Sequence, residues 1–172
     1  MRRWLIAGAA SLLVAAGFGA GYAAASSKGR VAGQISYEDR AAINDLMIRY
    51  SHYIDTHQAE AWASLFTADG ELQFPGASPK GHDALVQFAT RPDSDVQGAH
   101  FVGNSLLVEV APGRVHARSM IILGRADRTK QFSATFNALG VYVDDIVKTA
   151  GGWKFQSRKS DTSLPVTEEF LP

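Results

Sequence analysis

No cysteine occurs among the 172 residues. That absence removes disulfides, thiolate nucleophiles, iron–sulfur clusters, thiolate zinc sites and the lipidated cysteine of a lipoprotein anchor. An excess of either charge is also missing. Seventeen basic residues face 17 acidic ones, and no basic stripe runs through the chain, so nucleic acid is not an expected partner. There is no phosphate-binding loop. The "GFGAG" near the N-terminus lies in an apolar run and not after a strand, so it is no dinucleotide fingerprint. His52 and His57 are five apart, an awkward spacing for two ligands on one helix. The sequence therefore gives no reason to expect a metal or a cofactor.

What is present is an ordinary globular composition, 46% hydrophobic and 20% charged, in a length that suits one domain. The first 25 residues differ from the rest. Arg2 and Arg3 precede a run without charge, and Ala23–Ala25 offer small residues before Ser26. This is the layout of a secretory signal. Gly17 and Gly21, four apart, are spaced as in helix-dimerising membrane spans, so an uncleaved tether through residues 4–25 is the alternative. In either case the domain is expected to be exported, periplasmic or secreted. Removal of residues 1–25 leaves 15 basic against 17 acidic residues, a net charge near −2. Residues 26–36 read as a flexible lead-in.

Ser36 followed by Asp39 can cap a helix. Ile43, Leu46, Met47, Tyr50 and Ile54 then recur at helical spacing, which predicts a helix over about 37–56. A second short helix is expected at 59–66, with Trp62, Leu65 and Phe66 inward. "TADG" reads as a turn at Asp69-Gly70, "ELQF" as a strand, and 82–90 as a third helix. The second half reads as β: 98–110, 114–125, 131–149 and 152–160, separated by short turns. Tight turns between consecutive strands imply an antiparallel meander. Helices followed by such a sheet make an α+β fold with the helices closing one side. Trp62, Phe66, Phe101 and Trp153 are expected in the core. His52, His57, His82 and His116 are expected to be surface or structural, and residues 161–172 a tail.

"AINDLMIRYSHYIDTHQAEAWASLFTADGELQF", "GHDALVQF", "AHFVGNSLLVEV" and "GVYVDDIVKTAGGWKFQSR" together resemble the SnoaL-like branch of the nuclear transport factor 2-like superfamily, over about 37–160. The resemblance implies a cone: a strongly curved antiparallel sheet wrapped by three helices, commonly assembled as a homodimer or homotrimer. In motif the chain is most similar to scytalone dehydratase, the bile-acid dehydratases and lindane dehydrochlorinase. There an aspartate late in the first helix and a histidine in an "HF.G" strand form a dyad. The matching positions are Asp55 and His100, and a tyrosine five before the aspartate matches Tyr50.

Departures narrow what the resemblance implies. Ketosteroid isomerases carry their base aspartate before a proline on the first strand. Here that residue is Phe74, which takes no proton. Scytalone dehydratase has a tyrosine directly before its aspartate; here it is Ile54. "HARSMIILG" holds no clear equivalent of that enzyme's second histidine, since His116 comes too early.

Loss of water from carbon needs a base that titrates near neutrality, which suits histidine. A carboxylate on its other nitrogen fixes the tautomer and stabilises the imidazolium. The expectation is a cofactor-free dehydratase-type lyase acting on a hydrophobic cyclic small molecule. His100 would be the base, Asp55 its orienting partner and Tyr50 a polar assistant; Tyr53, Asn104, Tyr142 and Arg158 are candidate substrate contacts. Each has a simpler reading. Asp55 can cap the next helix, Asn104 can satisfy a bulge, and the tyrosines can be core. Five helical residues turn roughly 140°, so Tyr50 and Asp55 share no face on spacing alone. They meet only if Asp55 sits where the helix end meets the cavity. Two further functions stay open: an exported binding domain for an apolar ligand or partner, and a polyketide-type cyclase.

Overall fold

Ser36 starts the first helix, α1 (Tyr37–Asp55), by accepting a hydrogen bond from the Asp39 backbone N–H at 3.1 Å. Glu38 and Asp39 in its first turn complement the positive end of the helix dipole. Ile43, Leu46, Met47, Tyr50 and Ile54 form its buried face, as their spacing predicts. The helix ends where the Thr56 hydroxyl bonds back to the His52 carbonyl at 2.6 Å and His57 turns left-handed, at φ 59°. This computed structural model describes residues 35–90 and 96–161. The signal or tether, residues 26–34 of the lead-in and the tail beyond 161 lie outside them. Ile35, the described end of the lead-in, is buried in the core. Among the described residues no helix is long and apolar enough to cross a membrane.

The elements that follow are α2 (Ala59–Ala63), β1 (Phe66–Gln73), α3 (His82–Ala89), β2 (Val96–Ala111), β3 (Arg114–Asp127), β4 (Thr135–Thr149) and β5 (Gly152–Asp161). The five strands form one open sheet in the order β1-β5-β4-β3-β2. β2 to β5 are the expected antiparallel meander, while β1 lies parallel to β5. Each pair carries a break in register, and such bulges bend and twist strands, so the sheet is curved. Its inner face meets the helices. Leu107, Val115, Ala117, Ile121, Tyr142, Ile146 and Phe155 pack there with the α1 stripe, Trp62 and Leu85.

Two local expectations fail for physical reasons. "TADG" is not a turn but the middle of β1. A Cβ on Gly70 would lie 2.8 Å from the Phe66 Cβ and 3.1 Å from the Phe155 carbonyl, so glycine serves close approach here and not chain reversal. β1 consequently begins at Phe66, where the second helix was expected to end. Phe101, expected in the core, is 75% exposed. It follows His100 on β2, and successive strand side chains point to opposite faces.

Candidate active site

Asp55 closes α1 and His100 lies on β2, 45 positions further along the chain. The carboxylate takes both N–H groups that His100 presents. Its Oδ2 accepts the backbone N–H at 2.8 Å, and its Oδ1 pairs with ring Nδ1 at 2.5 Å. The two side chains are 17% and 18% exposed, so the pair is shielded without being sealed. With Nδ1 donating to the carboxylate, Nε2 carries the lone pair. Among the described residues nothing bonds to it. The capping alternative is not realised: Gln58 is the N-cap of α2, and no side chain caps that helix.

His100 opens onto a cleft of about 560 Å³ between α1 and β2. Arg40, Asn44, Met47, Ile48 and Ser51 line the helix side, and Phe101 to Ser105 line the strand side. Polar side chains, among them Arg40, Asn44, Ser51, Asn104 and Ser105, are set into a wall whose larger exposed surface is apolar. Asn104 belongs to this wall and also sits in a bulge. Its φ is 50°, and Asn104 and Ser105 together oppose one residue of β3, between the pairs Gly103↔Met120 and Leu106↔Arg118. Asparagine tolerates this left-handed conformation better than most residues. Asn104 therefore lines the cleft and occupies the bulge at once.

Four other expected site residues lie elsewhere. Tyr50 is 3% exposed and does not line the cleft. Its ring packs on Trp62, Phe66, Tyr142 and Phe155. Burial holds both phenols above their ordinary titration range, so they stay neutral. Arg158, also buried, forms a double hydrogen bond with Asp144, Nε to Oδ1 and Nη2 to Oδ2, both at 2.7 Å. The guanidinium carbon lies 4.1 Å from the ring centres of Tyr50 and Tyr142 and 4.2 Å from that of Phe155. Nη1 has no acceptor among the described residues; the aromatic faces surround the cation instead. Burial disfavours the Arg158 charge, but the facing Asp144 outweighs it and keeps the guanidinium protonated. Tyr53 is half-buried against the core, outside the cleft lining. Tyr50, Tyr142 and Arg158 thus form a dry cluster apart from the cleft. The helix twist explains it: the core-facing side of α1 cannot also face the edge where Asp55 ends.

The cleft-lining helix residues Arg40, Asn44, Ile48 and Ser51 were not singled out from sequence. Together with Asp55 they recur at spacings of three and four, a second stripe beside the apolar one. That stripe was the available signal.

A helix-covered, curved open sheet with a polar pair at the end of a lined cleft defines a class of small pocket-bearing α+β proteins. A family model for the SnoaL-like domain matches residues 36–159, and the chain belongs to that family. Solved structures agree in fold. A Novosphingobium aromaticivorans protein provisionally named scytalone dehydratase is similar at 26% identity and TM-score 0.62, over 73% of this chain and 85% of that one. Another from the same organism, provisionally named an aromatic ring hydroxylase, is similar at 27% and 0.66, over 78% and 95%. A third, an NTF2-like protein with a cystatin-like fold, matches at 24% and 0.65, over 77% and 86%. No curated protein matches the chain.

Proposed function

We propose that this protein is a cofactor-independent lyase of the dehydratase type, exported, with a hydrophobic cyclic small molecule as substrate. The observation that carries the reading is the Asp55–His100 pair. Asp55 fixes the ring so that Nε2 is the basic atom, beside a mostly apolar cleft. In the reaction Nε2 takes a proton from a carbon next to a carbonyl. The C–H electron pair becomes the new C=C bond, and the C–O bond to the departing hydroxyl breaks. The imidazolium then returns its proton to that hydroxyl, which leaves as water. Asp55 stabilises the imidazolium during the interval. Ser51 and Asn104 on the cleft wall can hold the carbonyl or hydroxyl. Tyr50, packed in the core, takes no part at the reacting atoms.

The test is hydrogen exchange in D₂O at the acidic C–H of hydroxyketone probes. Wild type should catalyse exchange, and His100→Ala should lose about 10²–10⁴-fold, the usual contribution of a positioned general base. Exchange by the variant at the wild-type rate would refute the base assignment. Tightly held apolar ligand in purified protein, with no exchange on any probe, would favour a binding domain.

A further inference from the structure

The loop between β3 and β4 presents an unusual surface. Phe132 at its tip is 101% exposed, and Phe136 just beyond it is 68% exposed. Residues 125–136 also carry Arg125, Arg128 and Lys130 against one acid, Asp127. Asp127 is already engaged, with Lys130 at 2.8 Å and with the Thr129 N–H and hydroxyl. A chain whose domain is slightly acidic thus concentrates positive charge around two bare phenylalanines.

The loop is built to hold this display. The Ser133 hydroxyl accepts the Asp127 backbone N–H and donates to the Asp127 carbonyl, both at 2.7 Å. The Lys130 N–H adds a bond to the same carbonyl at 3.1 Å. Phe132 meanwhile adopts φ 55°, a left-handed conformation that bulky residues rarely take. Among the described residues no contact rewards that conformation, because the side chain is fully exposed. Singly exposed apolar residues are ordinary; a clamped aromatic tip flanked in sequence by three cations is not.

Strand register places this tip. β2 and β3 pair Val96↔Asp127, Gly98↔Arg125 and His100↔Leu123. The loop therefore leaves the sheet at the end that holds the dyad. His100 lies opposite a residue four positions before Asp127, about 13 Å along the strand. The opposite end of the sheet carries the β2–β3 turn around Pro112.

We infer that the β3–β4 loop is a membrane-contact surface, in which Phe132 and Phe136 enter the interface of an anionic bilayer while Arg125, Arg128 and Lys130 meet its headgroups. Aromatic side chains favour that interface and cations are drawn to anionic lipid. Docked in this way, the dyad end of the cleft lies next to the lipid. As a corollary resting on the lyase reading above, the substrate would be a lipophilic molecule drawn from the bilayer and not from water.

The absence of cysteine allows a direct test in the full chain. Gln131→Cys, carrying an environment-sensitive fluorophore, reports on the tip with Phe132 in place. Pro112→Cys with the same label reports on the far end. On phosphatidylglycerol vesicles the label at 131 should brighten several-fold and shift to the blue, and that at 112 should not. The response at 131 should fall on adding Phe132→Ser, on Arg128→Glu with Lys130→Glu, and in high salt. Three results would overturn the inference: no response at 131, an equal response at 112, or shielding at 131 that grows with protein concentration without lipid, which would mean a second copy covers the loop. The readout needs no turnover. A loop that inserts in a protein without exchange activity would therefore sink the lyase reading and leave this one standing.

Discussion

Asp55–His100 and Asp144–Arg158 are both carboxylate–nitrogen pairs joined by two hydrogen bonds, and burial puts them to different uses. Asp144 faces Arg158 across β4 and β5 under three aromatic rings, with no exposed surface on either side chain. Each charge there exists to satisfy the other. Asp55 meets His100 where a helix ends and a strand passes, and about a sixth of each side chain reaches solvent. One atom of that pair, Nε2, is left over. A spare basic atom beside a cleft can do chemistry, whereas a fully buried pair, whose one unbonded nitrogen lies among aromatic rings, can only specify structure.

The contrast can be broken from either side. The largest effect should come from Asp144→Ala, which strands a buried guanidinium and should cost about 3–5 kcal/mol in denaturant unfolding. Replacing both partners with apolar residues of similar volume should recover most of that loss. Asp55→Asn should act on rate instead. Its amide would present an N–H to Nδ1, move the proton to Nε2 and cost about 10²–10⁴-fold in exchange, with a small change in melting temperature. Tyr50→Phe sharpens the boundary between the two regions. It removes only a buried hydroxyl, so it should change stability by no more than about 1 kcal/mol and leave exchange within about twofold of wild type. A large rate loss there would place Tyr50 in the chemistry after all.

The smallest effect concerns Asp39. Its hydrogen bond from Lys148 at 2.6 Å, with help from the Trp153 N–H at 2.9 Å, holds its carboxyl below the ordinary value of 3.8. A depressed carboxyl stabilises the fold above the unfolded value and loses that stabilisation as pH falls through the folded one. Wild type should therefore exceed Asp39→Asn in stability near neutrality, and the gap should close below pH 3.8.

The helices and the four-strand meander were legible because burial imposes periods of 3.6 and 2 on the sequence, and α1 shows its apolar stripe clearly. Asp55 and His100 were legible through the motif that carries them. What the residues did not reveal is depth. Tyr142 and Arg158 stood out as candidate contacts, yet nothing in one sequence distinguishes a polar set that lines a cavity from one that fills a core. The cross-strand register settles it by setting Asp144 opposite Arg158. The parallel place of β1 beside β5 was illegible for a related reason: it depends on a return across the whole sheet and on the clearance of Gly70, neither of which leaves a local signal.

The bulge at Asn104–Ser105 has a consequence for how this chain can vary. By inserting one residue it inverts the alternation of β2 halfway along, so that His100 and Val102 face inward before it and Ser105 and Leu107 after it. Ser105 then reaches Ser119 at 2.9 Å and Leu107 joins the core. The strand works as two rulers joined by a half-step. Deleting a single residue there would turn every later side chain of β2 inside out, exposing Leu107 and burying Leu106. Neutral drift can repaint either half of the strand, but it cannot shorten the joint.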